Sequence, residues 1–282
     1  MGDFLSFTIR MNEYYKDKAP QWTNDTHIEH DLMVGDDSDS SLSCDLLAHI
    51  TNGKWKPNYF YNFESFYQIN KSDNPLIGVD MAFTKNVRCF DNHLSQQYYN
   101  SKHNPYCFNL NVYKGINADK NYYKKYPFST LMLIMAYYDI PLPKTQLGKE
   151  IILAVDSSFI GHYTTNDFFK QIHTDWLKLL GFDELVDILD QRSKSYFYGL
   201  IEEYGLNEKI HINENGYLKT NINFEAIQPY LDWKIGIPNE QFELLHTCKR
   251  GFIKDISQER LPDNLVSLAY TSKKSAAFTY NP

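Results

Sequence analysis

The sequence predicts an α/β fold, a mostly parallel sheet flanked by helices, with a smaller α+β unit at the C-terminal end. Three observations predict it. Short apolar segments (DLMVG, PLIGVDMAF and NVRCFDNH) run into or up to aspartates. Longer stretches with helical spacing and recognisable ends alternate with them. From about Lys194 the texture changes to one helix followed by short strand-like pieces. Strands alternating with helices build parallel sheets, whose ligands bind beyond the carboxyl ends of the strands.

The elements follow in order. Residues 1–30 are polar and mixed, and are expected to be an extension containing strand or loop. DLMVG is a strand, and SLSCDLLAHITNG is a helix closed by Gly53. KPNYFYNFES alternates aromatic and polar positions as a strand does. Its aromatic run, NYFYNF at 58–63, reads as core rather than as a base-stacking platform. IGVDMAF and NVRCFDNH are two further strands. Asp80 and Asp91 are eleven residues apart, too few for a helical crossover, so these strands are expected to be neighbours with a tight link. FSTLMLIMAYYDI is an apolar helix stopped by Pro141 and Pro143. KEIILAVDSSF fits helix or strand. NDFFKQIHTDWLKLLGF is an amphipathic helix, with Thr165 or Asn166 as N-cap and Gly181 at its C-terminal end. Beyond it, ENGY carries an Asn-Gly turn signal. The expected division is a 1–30 extension, a 31–193 α/β domain and a 194–282 α+β unit that binds substrate or a partner.

Composition narrows the function classes. Hydrophobic residues make up 43% of the 282 and aromatics 16%, which suits an ordered core. The net charge of −7 gives no global basic field, so duplex DNA is disfavoured as a partner. Four cysteines show no CxxC spacing, and the N-terminal residues lack a basic region followed by an apolar one. Free thiols and a cytoplasmic location are the expectation. The longest apolar run, LMLIMAYY, is too short to span a bilayer, so no membrane partner is expected.

The chemistry lies in the acids. VGDDSDSSLS crowds Asp36, Asp37 and Asp39 between two apolar runs, with no basic residue beside them in sequence. Asp80, Asp91 with His93, and Asp156 follow, and in a parallel sheet such tips converge on one edge. Carboxylates gathered there repel one another unless a divalent cation neutralises them. Each segment alone also has a plainer reading. GDDSDSS could be a solvated helix cap, Asp80 a surface strand end, Asp91 and His93 a turn, and Asp156 another cap.

Taken together and in order, the segments resemble the DHH phosphoesterase superfamily over about residues 30–190. VGDDSDSSLS resembles its first D-x-D motif, IGVDMAF its second, VRCFDNHLS its Asp-His-His motif, and LAVDSSF its fourth. The resemblance implies a DHH-like α/β domain in which Asp37, Asp39, Asp80, Asp91, Asn92 and Asp156 hold one or two Mn²⁺ or Mg²⁺ ions. Asn92 stands where the family has histidine, Met33 stands where some members have another, and no G-G-G-H segment follows. His93 and Asp91 are the implied catalytic residues, with His93 meeting the scissile phosphate. His162 and Arg250 are the further substrate-binding candidates.

The implied activity is hydrolysis of a nucleotide phosphodiester by metal-activated water. The substrate would be a short single-stranded oligonucleotide, a single-strand end or a cyclic nucleotide. The alternative is a catalytically impaired relative that binds nucleotides or a protein partner. Pyrophosphate hydrolysis is a weaker third reading. A homodimer stays open as an assembly. His173 reads as a packed or exposed helix residue, and the remaining histidines carry no expected role.

Overall fold

The computed structural model describes residues 11–282. Residues 11–29 hold α1 (Glu13–Lys16) and a 3-10 turn over Gln21–Asn24. Of the expected strand or loop, these residues take loop with short helical turns, and no strand forms among them. Met11 and Trp22 are buried, so this stretch is part of the core. Residues 1–10 of that expectation lie outside the described residues.

β1 (His30–Val34) is buried at every position, as the middle strand of a covered parallel sheet must be. α2 (Ser38–Ile50) follows at once, N-capped by Asp37, whose carboxylate accepts from Ser40 N at 3.1 Å. KPNYFYNFES splits into β2 (Trp55–Tyr61) and β3 (Ser65–Gln68). The break is at Asn62, whose side-chain oxygen accepts from the N–H of Glu64 and of Ser65, with Phe63 in the left-handed region at φ 66°. β4 (Leu76–Val79), β5 (Arg88–Phe90) and β6 (Cys107–Phe108) complete the strands of the first half.

Helices then cover the sheet. After α3 (Leu110–Tyr113) comes α4 (Thr130–Tyr137), apolar all round and buried at all eight residues, as such a helix must be. α5 (Gln146–Ala154) resolves the ambiguous KEIILA stretch as helix. α6 (Asp167–Leu180) is capped by Asn166 and ended by Gly181 at φ 79°. α7 (Glu184–Gln191) and α8 (Lys194–Tyr204) continue the layer. β7 (His211–Ile212) and β8 (Leu218–Lys219) form the hairpin around Asn215-Gly216, followed by α9 (Phe224–Ile227). The chain closes with β9 (Glu243–Thr247), β10 (Lys249–Ile253), β11 (Leu265–Tyr270) and β12 (Ala276–Tyr280).

Among the described residues the main sheet has seven strands in the order β6-β5-β4-β1-β2-β3-β9. β6, β5, β4, β1 and β2 run parallel, while at one edge β3 pairs antiparallel with β2 and β9 antiparallel with β3. A second, antiparallel sheet has the order β10-β12-β11. The expected boundary at 193/194 is therefore not where the sheets divide. β9 belongs to the main sheet, α8 packs on α5, and one buried cluster runs through both halves.

Two features of this topology position the site. β1 lies between β2, which the chain reaches from it through α2, and β4, which the chain reaches from β3, so the strand order reverses here and opens a crevice at their carboxyl ends. The short link from β4 to its neighbour β5 contains no helix. It pairs instead with β11: Leu268 N donates to Ala82 O at 2.9 Å and Thr84 N to Val266 O at 3.0 Å. The small sheet is thereby tied over the crevice. No helix among the described residues is long and apolar enough to cross a membrane.

Candidate functional site

The acids follow from the strands. β1 ends at Val34, and the chain turns into α2 through Asp36 and Asp37, with Asp39 in the helix's first turn. Asp80 and Asp91 come directly after β4 and β5. Asp80 and Asp156 adopt left-handed backbone, φ 63° and 49°, which a non-glycine residue rarely holds without support. The support is visible at Asp80, where its N–H bonds Phe90 O and its carboxylate accepts from Thr130 Oγ1 at 2.7 Å.

Asp80, Asp91 and His93 each present a ligand atom within 4.8 Å of the others. His93 Nδ1 lies 2.7 Å from Asp91 Oδ1 and 3.9 Å from Asp80 Oδ1. Asn109 Nδ2 donates to the other Asp91 oxygen at 2.9 Å and fixes the carboxylate. Asp39 is held differently. Its two oxygens accept from Thr130 N at 2.7 Å and Leu131 N at 2.9 Å, the first amides of α4, where helix geometry favours an anion. Asn92, expected as a ligand through its oxygen, donates its Nδ2 to Asp156 Oδ2 and Phe128 O, both at 3.1 Å. It thus braces Asp156 against the α4 entry. Asp37 stands nearest Lys209, whose ammonium is 3.4 Å from it and 2.9 Å from Asp36.

The electrostatics are those of a site short of positive charge. Burial, then the charges of Asp80, Asp156 and Asp37, push the Asp39 carboxyl well above its ordinary value. Burial raises Asp80 to about 8, with the His93 charge lowering it and the charges of Asp37 and Asp156 raising it. Desolvation raises Asp156 as well, although the residue stays exposed on one side. His93 is pushed down by burial, but Asp91, Asp80 and Asp156 outweigh that and raise it to about 10. Two carboxylates with one imidazole within 4.8 Å could hold a metal ion. The shortage of charge is what such an ion would relieve.

A cavity of about 520 Å³ opens beside these acids. Asp36, His93 and Lys209 line it from the α/β side, and Arg250, Phe252 and Thr271 line it from the small sheet. Arg250, the expected substrate contact, lines this cavity. His162 does not. It is buried, its Nε2 is 3.1 Å from Asp190 of α7, and it is not in the cavity wall. Of the aromatic run at 58–63, Phe60 and Tyr61 are core and Phe63 reaches the cavity. Lys209, Phe252 and Thr130 carry no local signal in the sequence, since each acts on acids or a cavity built from distant segments. No protein-family model, no curated protein and no solved structure matches the chain.

Proposed function

We propose that the chain is a divalent-metal-dependent phosphodiesterase of the DHH type, acting on a nucleotide phosphodiester. The observation that carries this reading is the convergence of Asp80, Asp91 and His93 within 4.8 Å, in the field of Asp37, Asp39 and Asp156 and beside a cavity lined by Lys209 and Arg250. Asp80 and Asp91 would hold Mn²⁺ or Mg²⁺, with Asp37, Asp39 and Asp156 completing the negative field. Bound there, the ion supplies water of lowered pKa and offsets phosphate charge.

The chain's own groups do the rest. Thr130 and Asn109 fix the Asp80 and Asp91 carboxylates. Asp91 engages His93 Nδ1, which leaves Nε2 to meet substrate, and the ring is 41% exposed. A proton held at Nε2 can steady a phosphate oxygen or pass to the leaving oxygen. Arg250 and Lys209 supply fixed positive charge for the phosphate. A second reading, a catalytically impaired nucleotide-binding protein, is favoured by Asn92, which braces Asp156 as a donor where the family has a histidine ligand.

Hydrolysis of dinucleotides, short single strands, cyclic dinucleotides and pyrophosphate, with Mn²⁺ or with EDTA, separates the two. Mn²⁺-dependent cleavage of a phosphodiester, lost in Asp80→Asn and in His93→Gln, is the expected result. Tight nucleotide binding without turnover on any of them selects the second reading.

A further inference from the structure

Outside the acids and their cavity, the most distinctive surface is a run of aromatic rings on the 3-10 turn Tyr122–Lys124 and the first turn of α6. Phe168, Phe169, Tyr123 and Tyr122 follow one another with ring centroids 5.6, 5.5 and 5.6 Å apart. Tyr123 is 56% exposed and Phe168 55%, far above the buried rings of the core. Lysines flank the run. Lys125 stands 5.2 Å from the Tyr122 ring and Lys273 stands 5.1 Å from the Tyr123 ring. Among the described residues neither Lys124, Lys125 nor Lys273 has an acid within ion-pair distance. In a chain of net charge −7 such a cluster is a local reversal.

The run leads into the site. The Tyr122 hydroxyl donates to the carbonyl of Thr271, a residue of the cavity wall. The charge of Lys125 reaches Asp156 at the other margin of the acids. The platform is rigid beneath. Trp176 Nε1 donates to Lys124 O at 3.0 Å, and buried Tyr126 packs edge-on against Trp176. Two exposed acids lie close in sequence, Asp167 beside Phe168 and Asp119 three residues before Tyr122, and Lys120, Lys124, Lys125 and Lys273 outnumber them.

We propose that this run is a track for single-stranded nucleic acid, over which the bases flanking the scissile phosphate stack as the strand leaves the cavity. The inference rests on the phosphodiesterase reading for the position of that phosphate, and it commits the substrate to an extended strand rather than a cyclic nucleotide. The chemistry is a match of two kinds. Exposed rings offer π-faces to any base on the side away from the lysines, and ammonium groups that lie over Tyr122 and Tyr123 but pair with no acid follow the backbone phosphates. An acidic peptide would satisfy the lysines but would leave the exposed faces of Tyr123 and Phe168 without flat partners. The site thus favours length over sequence.

Fluorescence anisotropy with labelled oligothymidylates of two and eight nucleotides, in EDTA, tests the track on the full chain. The octamer is expected to bind at least about tenfold tighter than the dimer, since a stacked base contributes about five-fold or more. Tyr123→Ala and Phe168→Ala, both at exposed positions, should each reduce that ratio about five-fold or more. Lys273→Gln should lower the salt slope for the octamer by about 0.7. A ratio near one, or one that survives both ring substitutions, overturns the proposal, and so does equal binding of an abasic octamer. Parallel assays of dimer and octamer cleavage with Mn²⁺ keep the two claims apart. Ring-dependent binding without cleavage supports the track and refutes the phosphodiesterase, whereas cleavage with no ring dependence does the reverse.

Discussion

In metal-free protein, replacing Asp80 by Asn should stabilise the fold. Asp80 is buried beside Asp91, within the field of Asp37 and Asp156, and burial with that repulsion raises it from 3.8 to about 8. A carboxyl whose folded pKa exceeds its unfolded value contributes stability at low pH that is lost as pH rises through the folded value. At about 1.4 kcal/mol per unit, the interval from 3.8 to pH 7 corresponds to about 4 kcal/mol. The charges of His93, Asp37 and Asp156 act on Asp80 together, so the effects overlap and about 2 kcal/mol is the magnitude to expect. The amide of Asn can still accept from Thr130 Oγ1, which preserves the one hydrogen bond to this side chain. For a chain of this size that stabilisation is about 5 °C in Tm. Calorimetric melting in EDTA between pH 4 and pH 8 measures it. The variant should melt higher at pH 8, and its advantage should shrink toward pH 4 and vanish below it, where the wild-type carboxyl becomes protonated in both states. A variant that melts below wild type at pH 8 would refute the reasoning.

Two further outcomes follow from packing and burial. His173 is buried against Phe128 and bonds Ser158 O at 2.7 Å through Nε2, and burial lowers it to about 4. The fold should therefore lose stability as pH falls from about 6.5 toward 4, and His173→Gln should flatten that limb in an acid melting series. A Cβ at Gly78 of β4 would meet Phe83 at 2.6 Å, so Gly78→Ala should cost about 1–3 kcal/mol in urea unfolding and loosen the Asp80 turn.

Much of the frame is legible because local chemistry decides it. Asp37 caps α2, Asn166 and Gly181 bound α6, and Asn215-Gly216 turns the β7–β8 hairpin, each by contacts within a few residues. The close placement of Asp80 and Asp91 is legible from the short link between their strands. Edge pairing is not. β9 joins the main sheet through β3, and β11 reaches the 82–84 link, by contacts spanning well over a hundred residues that leave no periodicity in either segment. The same distance hides Lys209, which answers the crowding of Asp36 and Asp37 from far along the chain. Side-chain direction is hidden too. The helix that carries His162 is recognisable only as a turn after Asp156, and nothing in the sequence shows that His162 faces Asp190 rather than the cavity.

The account depends most on a cation-binding pocket formed by Asp80 and Asp91 with His93. Titration of Mn²⁺ into EDTA-stripped protein, followed by the loss of the free-ion signal in electron paramagnetic resonance, tests it directly. Wild type should bind at least one ion per chain, and Asp80→Asn and Asp91→Asn should each abolish that binding while remaining folded. No binding by wild type, or equal binding by both variants, would contradict the account.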